Sequence, residues 1–130
     1  MSKYRNRKVK VDDKLFDSRK EARRYVHLCL AQRAGEITDL QTQVVFNLIP
    51  AQYEECNEVY TKGKHKGELK RGKLLERGVD YVADFVYKTK DGKVIVEDVK
   101  GYKGSGGAYS VFVLKRKMML FIHNIQIREI

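Results

Sequence analysis

Two apolar runs in the second half of the chain, residues 81–87 (YVADFVY) and 93–100 (KVIVEDVK), constrain the fold more than any other feature. Both are rich in β-branched and aromatic residues, and the Lys90-Asp91-Gly92 stretch between them has the chemistry of a hairpin turn closed by a left-handed glycine. Apolar side chains occupy both faces of both runs, so each face of the resulting sheet must be covered by another element. A hairpin alone cannot supply that cover. Helices must, and α/β is the class this pattern predicts.

The covering helices are legible on either side. Asp17 or Ser18 can cap a first helix in which Ala22, Tyr25, Val26, Cys29 and Leu30 recur at the spacing of one helical face, until Arg33 breaks the stripe and Gly35 stops it. A glycine-rich connection, residues 101–107, leads into a second helix over residues 109–123, and residues 125–130 form a closing strand. If that last strand joins the same sheet, its crossover should be right-handed and parallel. Ahead of the first helix, residues 9–11 and 15–16 suit a short hairpin, and residues 44–49 read as a strand ended by Pro50. Residues 53–60 make a weaker strand, and residues 61–78, with four glycines and little apolar periodicity, a flexible loop. The core order is thus helix, three strands, helix, strand, in one domain spanning residues 1–130, a size one hydrophobic core can hold together.

Charge is segregated along this plan. The net charge of +10 resides in a basic tail, residues 1–10, and in the 61–78 loop, while the rest of the chain is balanced. Lysines and arginines clustered in this way neutralise phosphates and release counterions, which makes a nucleic acid the expected partner. The residues expected to touch it are Lys3, Arg5, Arg7 and Lys8 in the tail, Lys62, Lys64, Lys66, Lys70, Arg71 and Lys73 in the loop, and Lys115 on the second helix. Lys115, Arg116 and Lys117 read equally well as that helix's wet face. No apolar run is long enough to span a membrane and the N-terminus lacks a signal-peptide core, so the expected location is the cytoplasm, with no membrane partner. Cys29 and Cys56 form no CxxC pair and read as buried thiols. His27, His65 and His123 lack zinc-ligand spacing, and none is assigned to catalysis.

Three ionisable residues sit where packing disfavours them. Asp84 interrupts one apolar strand, and Asp98-Val99-Lys100 ends the next. Aspartate is a poor strand former, and a buried carboxylate is costly unless paired or bound to a cation. Two converging carboxylates make an oxygen site suited to Mg²⁺, with Mn²⁺ as a substitute, and a lysine two residues beyond the second acid lies on the same strand face, where it can assist an attacking water. A three-residue turn sets Val86 opposite Val96 and Asp84 opposite Asp98, and sends Glu97 to the other face.

The spacing of Asp84 from Asp98-Val99-Lys100 matches the D…(D/E)xK signature, with Ala83 in place of the proline, and the chain resembles the PD-(D/E)xK nuclease superfamily. From KYRNRKV through FDSRKEARRY, GEITDLQTQ, YVADFVY and VEDVKGY it is similar to small phage-encoded nucleases akin to Holliday-junction resolvases. The resemblance implies a restriction-endonuclease-like core with a central mixed sheet flanked by helices. It implies a Mg²⁺-dependent endonuclease acting on duplex or branched DNA, and a homodimer. Catalysis would rest on Glu21, Asp84, Asp98 and Lys100, with Glu21, Asp84 and Asp98 as metal ligands. Glu21 also fits a capping box with Ser18, and Gln43 either positions a phosphate or water or is a surface glutamine. The alternative is a DNA-binding module that keeps the fold without cleaving. A structural or regulatory phage protein leaves the acids unexplained.

Overall fold

The computed structural model describes residues 8–100 and 107–130. Most of the basic tail and the glycine-rich connection, residues 101–106, lie outside that description. The chain opens with a hairpin, β1 (Val9–Val11) and β2 (Lys14–Phe16), followed by helix α1 (Arg19–Arg33). Ser18 caps α1 by accepting the Glu21 amide at 3.1 Å, as its place before the apolar stripe predicts. Strand β3 (Ile37–Ile49) is thirteen residues long, and absorbs residues 37–43 of the GEITDLQTQ stretch expected to precede a strand. Short strands β4 (Gln52–Tyr53) and β5 (Leu74–Glu76) pair with each other, then β6 (Val79–Thr89) and β7 (Val94–Asp98) form the anticipated hairpin. Helix α2 (Gly107–His123) and a two-residue strand, β8 (Arg128–Glu129), complete the chain.

The central sheet has the order β3-β6-β7-β8 and is mixed, antiparallel except for the parallel β7–β8 pair. The expected α/β class and parallel closing strand are present, although that strand is shorter than residues 125–130. Neighbouring residues of β7 show how the layers lie. Ile95 belongs to a core with Phe16, Ala22, Tyr25 and Leu28 under α1, whereas Val96 belongs to one with Phe112 and Met119 under α2. Adjacent strand residues point to opposite faces, so the two helices cover opposite sides of the sheet.

The 53–78 region differs most from expectation. Instead of a weak strand and a flexible loop, it is an antiparallel ribbon continuing outward from β4 and β5. Glu54 N–H donates to the Lys73 carbonyl at 2.8 Å, Lys70 N–H to Glu58 at 2.8 Å and Tyr60 N–H to Glu68 at 3.0 Å. Local propensity could not show this, because its ladder pairs residues up to about twenty positions apart in a stretch poor in apolar side chains. Cys29 and Cys56 are free thiols, half-buried rather than buried. Among the described residues no helix is long and apolar enough to cross a membrane.

Candidate active site

The β6–β7 turn has the form the sequence predicts. Thr89 and Lys93 flank three residues, Gly92 N–H donates to the Thr89 carbonyl at 2.9 Å, and Gly92 takes φ of +83°. The register follows from that turn: Val86 faces Val96 and Phe85 faces Glu97. Asp98 therefore shares a face with Val96, on the α2 side. Its neighbours agree, since Tyr81 Oη donates to Asp98 Oδ2 at 2.7 Å, and Lys100 Nζ lies 2.7 Å from Asp98 Oδ1 and 3.4 Å from the Phe112 ring centre.

Asp84 stands where β6 changes sides. Tyr81 and Ala83 pack in the core under α2, but Phe85 and Tyr87, of the same parity, pack in the core under α1. On a regular strand all four would face one layer. The partner strand keeps its register across this level, with Thr42 opposite Phe85 and Val44 opposite Ala83, so both strands turn together and no residue is inserted. Between those pairs lies Gln43, at φ of +52°, a left-handed conformation uncommon for any residue but glycine. The turn directs the Gln43 amide toward the acids. Its Nε2 donates to Glu21 Oε1 at 3.0 Å and approaches Asp84 Oδ1 at 3.5 Å, while Asp84 Oδ2 accepts the Val99 amide at 2.7 Å.

Two acidic groups of this site are held in an unfavourable state. Burial, then the Asp84 charge, raises the Glu21 carboxyl from about 4.5 to about 7. Burial also raises Asp84, as does the Asp98 charge, against the Val99 amide, Gln43 and Lys100, which lower it. The backbone of Asp17, just ahead of the helix cap, acts on Glu21 in the opposite direction and lowers it.

The structure thus brings Glu21, Gln43 and Asp84 together, with Asp98 and Lys100 as an adjoining pair. Among the described residues no three His, Cys, Asp or Glu side chains close into a metal-binding group. Asp98 is instead turned toward Tyr81 and Lys100. Hard oxygen donors from one or two carboxylates are nonetheless the usual protein share of a Mg²⁺ site, and the Glu21–Asp84 pair fits that share.

Glu97 proves more important to the fold than its position off the site implies. It is fully buried on the α1 side, where Arg24 donates to both carboxylate oxygens, at 2.7 and 2.5 Å, and Tyr87 Oη donates to one of them. Neither Arg24 nor Tyr81 was identifiable as a site-supporting residue, because each gains its partner only when distant elements pack. Among the residues expected to meet DNA, Lys70 lies 3.6 Å from Glu58, and the Arg71 guanidinium sits 4.6 Å from the Tyr53 ring centre. Lys8, Lys62, Lys64, Lys66 and Lys73 are exposed, whereas Lys3, Arg5 and Arg7 fall outside the described residues. On helix α2, Arg116 pairs with Glu129 at 3.2 Å, Lys115 is half-buried and Lys117 is exposed, as are the apolar Val111, Leu114 and Phe121.

A family model described as "Protein of unknown function (DUF1064)" matches residues 1–128. The chain belongs to the DUF1064 family. No curated protein and no solved structure matches it. For this DUF1064 chain the chemistry must therefore be argued from the site.

Proposed function

We propose that this chain is a divalent-cation-dependent DNA endonuclease of the PD-(D/E)xK type, acting on branched or duplex DNA. The observation that carries the reading is the meeting of Glu21 and Asp84 around one amide, beside a lysine held at a strand end by Asp98. A pure binding module gains nothing from carboxylates crowded against a polyanion. Glu21 and Asp84 would hold Mg²⁺ or Mn²⁺, with Asp98 as the third candidate ligand the resemblance implies. Such a cation supplies a polarised phosphate oxygen and a water acidic enough to attack near neutral pH.

The chain's own groups have separable roles. Tyr81 engages Oδ2 of Asp98 and leaves Oδ1 to Lys100, so the lysine is anchored at both its ammonium, by the carboxylate, and its position, by the Phe112 face. A fixed ammonium beside the acid pair is placed to orient the attacking water and offset charge as one P–O bond breaks. The Val99 amide holds Asp84 in one orientation. A homodimer belongs to the same reading, because two symmetric cuts at a junction require two sites related by a two-fold axis.

The test is incubation of purified protein with labelled linear, flap and four-way-junction DNA in Mg²⁺, Mn²⁺ or chelator. Cation-dependent cleavage is expected, lost in Asp84→Ala and Lys100→Ala while DNA affinity is kept or improved in Asp84→Ala. Absence of cleavage on every substrate would favour the DNA-binding module instead, and wild-type rates in either variant would remove the site assignment.

A further inference from the structure

Along the ribbon formed by residues 52–76, two shaft cations contrast with the three lysines of the tip, while the remaining one, Lys73, is exposed on the shaft. On its shaft, Lys70 is paired with Glu58 at 3.6 Å and Lys70 Nζ is 5.7 Å from the Tyr60 ring centre, while Arg71 covers Tyr53. These cations hold the two strands together. At the tip, residues 61–67 (TKGKHKG) carry Lys62, Lys64 and Lys66 with no acid between them. Among the described residues none of the three has an ion-pair partner, and all are exposed.

The tip is held in place by its own ladder. Gly67 N–H donates to the Tyr60 carbonyl at 2.9 Å, Lys66 N–H to Gly63 at 3.2 Å, and His65 lies against Tyr60 and 2.9 Å from Glu68. Lower down, a Cβ on Gly72 would lie 1.9 Å from the Glu54 carbonyl oxygen, so the strands approach as closely as only glycine allows. From Glu54 to Tyr60 the arm extends roughly 20 Å at the usual rise of a strand. Its base adjoins the start of β6, the strand that carries Asp84 five residues further on, at roughly 17 Å.

We infer that this ribbon is a rigid DNA arm whose contacts with duplex phosphates are made by Lys62, Lys64 and Lys66, while Lys70 and Arg71 are committed to the arm itself. A two-stranded ribbon is narrow enough for the major groove, and lysines at its end meet phosphates without reading bases. An anionic membrane is the poorer partner, because the 61–67 tip has no apolar side chain to insert. The inference rests on DNA as the ligand of the proposed nuclease, and names where it is held outside the cleavage site.

The test measures binding to a labelled duplex in chelator across a salt series, by fluorescence anisotropy, with anionic vesicles as the comparison. For Lys62→Ala/Lys64→Ala/Lys66→Ala the slope of log affinity against log salt is expected to fall by about 2 to 3, at about 0.9 per phosphate contact, with Lys70→Gln close to wild type. Gly72→Ala, which keeps every charge but obstructs the ribbon, is expected to weaken duplex binding. An unchanged slope in the tip variant, an equal fall in Lys70→Gln, undiminished affinity in Gly72→Ala, or tip-dependent binding to vesicles but not duplex would each overturn the inference. Since no cleavage occurs in chelator, tip-dependent binding by a protein that never cuts sinks only the nuclease reading. Cation-dependent cutting by a tip variant with the wild-type slope sinks only the arm.

Discussion

Glu21 concentrates the chemistry of the site in one side chain. Its folded-state value of about 7 exceeds the unfolded 4.5, so between those values the folded protein holds a proton that the unfolded chain has released. In cation-free protein the Glu21 contribution to stability should therefore be fully present below about pH 4.5 and be lost as pH rises through 7. A divalent cation competes with the same proton, so Mn²⁺ affinity should rise by up to about tenfold per pH unit below 7 and level off above it. Titration calorimetry between pH 5.5 and 8.5 checks this. Glu21→Gln should flatten both dependences, and a wild-type affinity independent of pH would show that Glu21 does not face the cation.

At the scale of elements, the buried Arg24–Glu97 pair ties α1 to β7, and Glu21 lies one helical turn before Arg24. The two sides of β7 thus differ, since Asp98 bonds Lys100 and Tyr81 while Glu97 fixes the helix that carries Glu21. Removing one partner of a buried ion pair leaves the other uncompensated, which costs about 3 kcal/mol or more. Glu97→Gln should lower urea-unfolding stability by about that amount, yet retain substantial cleavage per folded molecule, whereas Asp98→Asn should lose nearly all activity per folded molecule. Loss of cleavage by Glu97→Gln at wild-type stability would mean that Glu97, not Asp98, belongs to the site. The β6–β7 register was legible because its cause is local: Asp91-Gly92 specifies a three-residue turn, and a turn sets the pairing of everything beyond it. The change of side at Asp84 was not legible, since Gln43 is not a residue that announces a left-handed backbone.

For the molecule as a whole, the segregation of positive charge makes the proposed DNA affinity an electrostatic quantity. The tail and the ribbon tip are separate in sequence, and their contributions should add, as distant independent sites do. Deleting residues 1–7 removes Lys3, Arg5 and Arg7. The salt slope on duplex DNA should fall by up to about 2.7, at about 0.9 for each phosphate no longer neutralised, with cleavage at low salt largely retained. A deletion that leaves the slope intact would show that the tail does not touch the phosphates.

By itself, the sequence determined the α/β class, the two-sided sheet, the capped first helix, the parallel direction of the closing strand once it joins the sheet, and the register of the β6–β7 hairpin. Each of these depends on periodicity, capping or turn chemistry within a few residues. Tertiary structure alone decided the rest. The ribbon forms because strands about twenty residues apart find each other, and Lys70 and Arg71 become internal partners only then. Glu21, Gln43 and Asp84 meet because two strands turn together beneath α1, and Glu97 becomes a buried ion-pair partner because Arg24 arrives from another element. Local free-energy preferences leave a mark on neighbouring residues, whereas the meeting of distant side chains depends on how whole elements pack.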